Sequence, residues 1–221
     1  MPPAFTTIST TSAADLREEW ANVLSHGLGF LAAAAALPVA WQAGWLTHQP
    51  VSVLGGGIFA LTMALVFGVS AVYHALPDRN RAKAWLQRAD HAVIFLFIAG
   101  SYTPFALQEL GSPSGRAAFA AVWTLALVGT VAKAAGRLRD MLRSTLLYVL
   151  MGWLAAAAAL PVMERLSATE LLLVFAGGGA YMLGAVFFLI DRRLRYSHFV
   201  WHLFVLAGSG CHFAAAVQHL A

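Results

Sequence analysis

A small set of polar side chains stands at the edges of long apolar runs in this sequence. They are Ser70 and His74, spaced S-x-x-x-H, then Asp90, then His198 and His202, spaced H-x-x-x-H. Residues four apart share one face of an α-helix, so each spaced pair points in one direction. Ionisable groups in apolar membrane segments are costly and usually mark a functional site. Three histidines and one carboxylate together form the donor set of a zinc centre.

The chemistry expected of such a centre follows from the number of ligands. A catalytic zinc ion commonly has three protein ligands and keeps one position for water, which ionises near neutral pH and becomes a nucleophile. Asp90 can orient that water or accept its proton, whereas Asp90 as a fourth ligand would close the site. Ser70 can hydrogen-bond the water, the aspartate or a substrate oxygen. The same residues also suit helix packing, a haem or a proton relay, and their spacing does not choose among these uses.

A second group of polar residues lies at the start of the first apolar run. Glu19, Asn22 and His26 are three and four residues apart, which places them near one face of a helix. We expect them to form a polar network among helix ends that supports the site. Direct ligation of the metal by His26 is the less favoured alternative.

The composition determines the class of protein that holds these residues. Of 221 residues, 60% are hydrophobic and only 11% are charged, whereas a soluble domain would carry about 25% charged residues. The chain is therefore predicted to be an integral membrane protein without a sizeable soluble domain. Its single cysteine, Cys211, excludes an internal disulfide and cannot alone form a thiolate metal site.

Seven apolar runs are long enough to cross a bilayer, because a spanning helix needs ~20 residues. They cover approximately residues 23–46, 53–76, 91–110, 117–132, 144–163, 170–190 and 198–220, and the fourth is the shortest. The fold class is therefore predicted to be all-α, a polytopic seven-helix bundle. Residues 1–20 are predicted to be a short cytoplasmic tail, partly disordered, and residues 21–221 a single transmembrane domain.

Basic residues predict the orientation of the bundle. Twelve of the 14 Lys and Arg fall in the tail and in the loops after the second, fourth and sixth runs, and only Arg116 and Arg165 fall on the other side. The positive-inside rule places the twelve in the cytoplasm, so the amino terminus is predicted inside and the carboxyl terminus outside. All the polar residues above then lie near the cytoplasmic face of the plasma (inner) membrane. The net charge of +4 follows from this topology, and no nucleic-acid partner is predicted.

The order and spacing of four motifs resemble the progestin and adiponectin receptor family, and specifically its bacterial hemolysin III branch. The resemblance covers about residues 19–212. Its motifs are Glu19-x-x-Asn22-x-x-x-His26, Ser70-x-x-x-His74 followed by Asp90, Gly100-Ser101-Tyr102-Thr103-Pro104, and Ser197-His198-x-x-x-His202 with His212 downstream. Each motif alone is weak, but together on seven spans they are specific.

The resemblance implies both a site and an activity. It implies a zinc ion near the cytoplasmic face, bound by His74, His198 and His202, with Asp90 holding a bound water. In related receptors this site is associated with hydrolysis of a lipid amide such as ceramide. The first hypothesis for function is therefore a zinc-dependent hydrolase of a lipid amide or ester, with a membrane lipid as substrate or ligand.

Other functions remain open at the level of the sequence. In one, the zinc is structural and the protein regulates the state of the membrane through partners that the sequence does not identify. The haemolysin label of the bacterial branch suggests a third, a pore-forming or cytolytic protein, although the outer halves of several runs offer few polar groups to line a pore. A haem-binding electron carrier is the fourth.

Overall fold

The computed structural model describes residues 13–46, 50–191 and 193–220 of the chain. These residues form eight α-helices and no strand: α1 Ala13–Leu46, α2 Pro50–Ala75, α3 Lys83–Ala106, α4 Pro113–Ala134, α5 Met141–Ala158, α6 Leu160–Met163, α7 Ala168–Leu189 and α8 Ser197–Leu220. A 3-10 turn, Leu107–Glu109, continues α3. Every helix except the single turn α6 is long and apolar enough to cross a membrane. The prediction of an all-α protein with seven spans is thus confirmed.

Several helix ends differ from the predicted apolar runs. α1 begins at Ala13 and α3 at Lys83, whereas the runs were predicted to start at residues 23 and 91. Hydropathy marks only the part of a helix that lies in hydrocarbon, and these helices continue as polar turns beyond it. The predicted tail, residues 1–20, therefore overlaps α1 from Ala13 onward, and residues 1–12 lie outside the described part of the chain.

The predicted fifth run is not one helix. It divides into α5 and α6 at Ala159, two residues before Pro161, which has no amide hydrogen for a helical hydrogen bond. As a result α5, with 18 residues, is the shortest span, and the expectation that the fourth run would be the shortest was wrong. α4 has 22 residues, because it begins at Pro113 with Ser112 as its cap, ahead of the apolar run.

The bundle is built around α3, which is the most buried of the seven spans. On one side of α3 a core cluster joins α1, α2 and α8 through side chains such as Phe59, Phe67 and Phe97. On the other side a second cluster joins α3 to α4 and α5 through Phe95 and Val122, among others. Large apolar residues cover the outer surface of the bundle, as expected for helices that face lipid.

Small residues allow the site-bearing helices to approach their neighbours closely. A methyl group on Gly100 of α3 would clash with Thr62 of α2, and one on Gly177 of α7 would clash with His212 of α8. Gly208 of α8 packs in turn beneath the ring of Tyr181. Close backbone approach at small residues is the usual way in which membrane helices gain contact. These contacts hold α2 beside α3 and α8 beside α7.

Candidate metal centre

Three histidines from two helices converge at one end of the bundle. One ring nitrogen from each of His74, His198 and His202 lies within 4.8 Å of the others. His74 is in the last turn of α2, and the other two are in the first two turns of α8. Because α2 ends where α8 begins, the two helices bring their histidines to the same depth. His74 and His202 are buried, and His198 is partly buried.

Each of these histidines has a hydrogen-bonding partner at Nδ1. The three partners come from different parts of the chain: Glu19 Oε2 lies 2.6 Å from His74, Ser25 Oγ lies 3.2 Å from His202, and Asp191 Oδ2 lies 3.3 Å from His198. The Ser25 hydroxyl donates to the Asn22 carbonyl at 2.9 Å, so its oxygen can accept from His202. A proton held at Nδ1 in this way leaves Nε2 with a free lone pair.

All three Nε2 atoms are buried and have no hydrogen-bond partner. Buried polar atoms in native proteins are almost always paired, so three orphans converging on one space require an explanation. A divalent cation accounts for all three, because neutral imidazole is a preferred ligand of zinc and of several other transition metals. The donor set and its orientation therefore fit the predicted metal. Among the described residues, no carboxylate or cysteine joins the three histidines as a fourth ligand.

Asp90 and Ser70 lie outside this group of three. The Asp90 side chain is buried on α3, and its Oδ2 has no hydrogen-bond partner, although His91 Nδ1 lies 3.4 Å away. That nitrogen donates instead to the Gln87 carbonyl at 2.7 Å. Ser70, one turn before His74, is 1% exposed, and its Oγ is also unpartnered. Both residues therefore retain free hydrogen-bonding capacity for water or a ligand.

The three residues predicted to support the site take different positions. Glu19 contacts His74 directly and also lies 3.5 Å from Lys83 Nζ. The Asn22 backbone carbonyl accepts the Ser25 bond, while its side-chain Oδ1 is buried without a partner. His26 stacks flat on His202, with ring centroids 3.5 Å apart and an interplanar angle of 9°. Its geometry is that of a stacked neighbour, and it is not one of the three converging ligands.

Three residues around the histidines were not predicted from the sequence: Ser25, Asp191 and Lys83. Ser25 had a detectable signal, because it lies beside His26 and three residues after Asn22 in an apolar run. Asp191 lies just after α7, and its side chain contacts His198 in the first turn of α8, on the other side of the connecting loop. A contact across a loop has no helical periodicity, so the sequence gives no sign of it.

A cavity of about 500 Å³ begins beside the three histidines and runs into the bundle. His26 and Asp90 line its end beside the three histidines, and Leu166 lines the opposite end. The lining residues on α3, α5 and α7 extend over about four helical turns, or ~20 Å. Nearly all of the remaining wall is aliphatic or aromatic. The cavity is therefore long and largely apolar, with His26 and Asp90 at the end near the three histidines and Ser101 and His212 among the few polar residues farther along.

The wall of this cavity is open between α5 and α7. Gly152 on α5 and Gly178 and Gly179 on α7 line the cavity, and a Cβ atom added to any of them would meet nothing within 4 Å. The neighbouring lining residues Trp153 and Phe175 are 64% and 66% exposed on the outer surface of the bundle. This gap connects the cavity sideways to the region that lipid would occupy.

Comparison with known proteins agrees with this architecture. A family model described as haemolysin-III related matches residues 14–213. The chain belongs to the haemolysin III family. Hemolysin-3 of Bacillus cereus is 35% identical over 198 residues, covering 90% of each chain. The Hemolysin-3 homolog of Bacillus subtilis is 35% identical over 200 residues, covering 90% of this chain and 92% of the relative.

A more distant human relative extends the comparison beyond bacteria. The monocyte to macrophage differentiation factor of Homo sapiens is 29% identical over 171 residues, covering 74% of this chain and 69% of the relative. This relative belongs to the progestin and adiponectin receptor family, so the predicted family resemblance is confirmed. The haemolysin III match covers all seven candidate spans apart from the carboxyl-terminal end of α8, consistent with a multi-pass membrane protein.

Proposed function

We propose that this haemolysin III protein is a zinc-dependent hydrolase that cleaves the amide or ester bond of a membrane lipid, such as the amide of ceramide. The observation that carries this proposal is that three unpaired Nε2 atoms converge beside the end of an apolar, lipid-sized cavity that His26 and Asp90 line. A metal held there would have a buried carboxylate, Asp90, and an apolar channel nearby. A purely structural metal would need neither.

His74, His198 and His202 would hold the zinc ion, and Glu19, Ser25 and Asp191 would hold the three rings in position. When bound, zinc would supply a water molecule that ionises near neutral pH and would polarise the lipid carbonyl. Three protein ligands leave a coordination position for this chemistry, whereas structural zinc sites are usually closed by four.

The protein's own groups would direct proton movement. The unpartnered Asp90 Oδ2 would accept a proton from the attacking water, and Ser70 Oγ would orient either the water or the carbonyl oxygen. Addition of water to the carbonyl carbon would give a tetrahedral intermediate, and its collapse would re-form the carbonyl and break the C–N or C–O bond. The proton taken by Asp90 is then delivered to the leaving nitrogen or oxygen. The products are a fatty acid and an amine or an alcohol.

The dimensions of the cavity support a lipid substrate. The hydrocarbon core of a bilayer is ~30 Å thick and contains two leaflets, so one acyl chain extends over ~15 Å. The cavity, ~20 Å long, is sufficient for one such chain. The gap between α5 and α7 would let the chain enter sideways from the membrane, without leaving hydrocarbon.

The test combines metal analysis with turnover. Purified protein is expected to contain about one zinc per chain, and a His202→Ala variant far less. Native protein should hydrolyse members of a panel of lipid amides and esters, and both metal-free protein and Asp90→Asn should lose at least ~100-fold in rate, the usual contribution of a general base. Asp78→Asn is the matched control, because the Asp78 side chain is 70% exposed in the loop between α2 and α3.

The same measurements distinguish the hydrolase from a membrane regulator in which the metal is only structural. Equal turnover by native, metal-free and Asp90→Asn protein would refute the hydrolase. Metal-dependent thermal stability without any lipid turnover would instead favour a regulator with a structural metal.

A further inference from the structure

His26 is a buried histidine with no hydrogen-bond partner at either ring nitrogen. Its residue is 2% exposed, and both Nδ1 and Nε2 are unpaired. A buried polar group left unpaired costs free energy of folding, so such a group in a native protein calls for a reason. Packing alone is not sufficient, because a phenylalanine would stack on His202 without that cost.

The surroundings of His26 do not supply the missing partner. One face of the ring stacks on His202, and Phe67 lies tilted against it with centroids 5.0 Å apart. His26 is outside the three-nitrogen group that could hold a metal. The ring does, however, line the apolar cavity, at the same end as Asp90. His26 and Asp90 therefore both contribute polar side chains to the cavity wall at the end near the three converging histidines.

The chemistry of imidazole limits what the partner can be. A neutral imidazole has one N–H donor and one acceptor nitrogen. The polar linkage of a lipid amide or ester presents a carbonyl oxygen, which accepts hydrogen bonds, and the rest of its acyl chain is apolar. A lipid whose acyl chain lies in the cavity and whose carbonyl lies at the histidine end would give His26 a hydrogen-bond acceptor. The same lipid would give the apolar wall an apolar chain to contact.

We propose that His26 is a substrate-contacting residue that donates a hydrogen bond from its ring N–H to the carbonyl oxygen of the bound lipid. This inference rests on the proposed lipid hydrolase, but it concerns binding and can be tested without turnover. In this assignment the stack on His202 fixes the plane of the His26 ring, and the ring in turn places the carbonyl beside the metal ligands. Glu19 and the other Nδ1 partners orient the metal ligands, whereas His26 orients the substrate.

The test measures binding of two probes that differ only in their polar group. Palmitamide has the carbonyl, and hexadecane has the same chain length without any polar atom. Dissociation constants are measured in nanodiscs by competition with a fluorescent fatty acid, for native protein and for His26→Phe, which keeps the aromatic stack and removes both nitrogens. We expect His26→Phe to bind palmitamide about tenfold more weakly, the size of one lost hydrogen bond, and to keep its hexadecane affinity and its zinc content.

Two further variants exclude trivial explanations. His219→Phe is the matched control: His219 is a mostly buried α8 histidine stacked on Phe105, and it does not line the cavity. It should leave both affinities unchanged. His26→Gln retains an N–H donor and should recover part of the palmitamide affinity. This variant also tests the contact if His26→Phe folds poorly.

The outcomes separate this inference from the proposed function. Unchanged palmitamide affinity in His26→Phe, an equal loss for hexadecane, or a parallel loss of zinc would each overturn the His26 assignment, as would native protein that binds neither probe. Native protein that prefers palmitamide through His26, yet hydrolyses no lipid amide or ester, would overturn the hydrolase and leave the contact in place.

Discussion

At the scale of single residues, the candidate centre depends on the atoms that hold the histidine rings as much as on the rings themselves. An imidazole can carry its proton on either nitrogen, and only one of the two tautomers presents a lone pair to a metal at Nε2. Glu19, Ser25 and Asp191 each occupy the Nδ1 side of one ligand. They therefore select the tautomer that leaves all three Nε2 atoms free, before any metal binds.

Glu19 offers the sharpest test of this orienting role, because its carboxylate lies 2.6 Å from His74 Nδ1. Removing such an outer partner typically costs 10–100-fold in metal affinity. We expect Glu19→Ala to weaken zinc binding by about that factor, measured by competition with a chelator of known affinity. Glu18→Ala is the neighbouring control, since residue 18 points about 100° away around the helix.

The Glu19 measurement has a clear contrary outcome. Equal loss of zinc in both variants would indicate a general effect of charge near the helix start, and no loss in either would show that His74 needs no carboxylate partner. Lys83 adds a further check, because its Nζ lies 3.5 Å from Glu19 Oε1 and also donates to the Leu76 carbonyl at 2.8 Å. Its removal should produce a smaller effect in the same direction.

The sequence predicted the three converging histidines more completely than their surroundings. His74, His198 and His202 could be selected because ionisable residues in apolar runs are rare, and because i and i+4 spacing fixes a shared face. The Asp191 contact could not be predicted, because it depends on how the loop into α8 folds. The stacking of His26 on His202 depends on the relative rotation of α1 and α8, which apolar lipid-facing surfaces do not encode.

At the scale of helices, hydropathy predicted the number of spans and their approximate positions, but the cavity gave no signal in the sequence. Its walls are aliphatic and aromatic residues that resemble any other membrane helix surface. The glycines on α5 and α7 were visible as small residues, which usually indicate close packing. In the structure Gly100 and Gly177 serve that purpose, whereas Gly152, Gly178 and Gly179 face open space. Whether a glycine permits close helix packing or borders the gap depends on what lies opposite it, and its residue type does not reveal this.

The gap between α5 and α7 can be tested by filling it. Gly179→Phe would place a ring where a Cβ now meets nothing within 4 Å. If that ring displaces two methylene groups of a bound lipid, the loss is ~1.6 kcal/mol, or about tenfold in binding. We expect kcat/KM for the best lipid of the panel to fall about tenfold, with zinc content unchanged.

Gly210→Phe is the matched substitution for this gap. Gly210 also has open space around its Cβ position, but it is exposed on α8 and does not line the cavity. It should leave kcat/KM at the native value. An equal decrease in both variants would indicate a general effect of bulk on the bundle surface and would contradict lateral entry between α5 and α7.

At the scale of the whole molecule, the three converging histidines lie at the same end of the bundle as most of the basic residues. The carboxyl end of α2 and the amino ends of α3 and α8 carry the site residues, and the loops at this same end contain most of the basic residues. The opposite end carries the Glu109–Arg165 ion pair and the contact of His219 with Glu170, 3.6 Å apart. Determining which end faces the cytoplasm therefore determines where the products would be released.

The positive-inside rule predicts that the site end is cytoplasmic. Cysteine labelling can measure this orientation, because the chain has only one native cysteine to remove. Cys211 lies within α8, so a Cys211→Ala background removes the only thiol. Arg81→Cys in the loop after α2 and Ser114→Cys at the start of α4 then place one exposed reporter at each end. In intact cells a membrane-impermeant maleimide should label Ser114→Cys alone. In inverted vesicles it should label Arg81→Cys alone, because the basic loop is then on the accessible side.

The reverse pattern would put the three histidines near the outer face, and lipid amide turnover would then release its polar product outside the cell. Labelling of both positions from one side would show that α3, the single span between these two loops, does not cross the membrane.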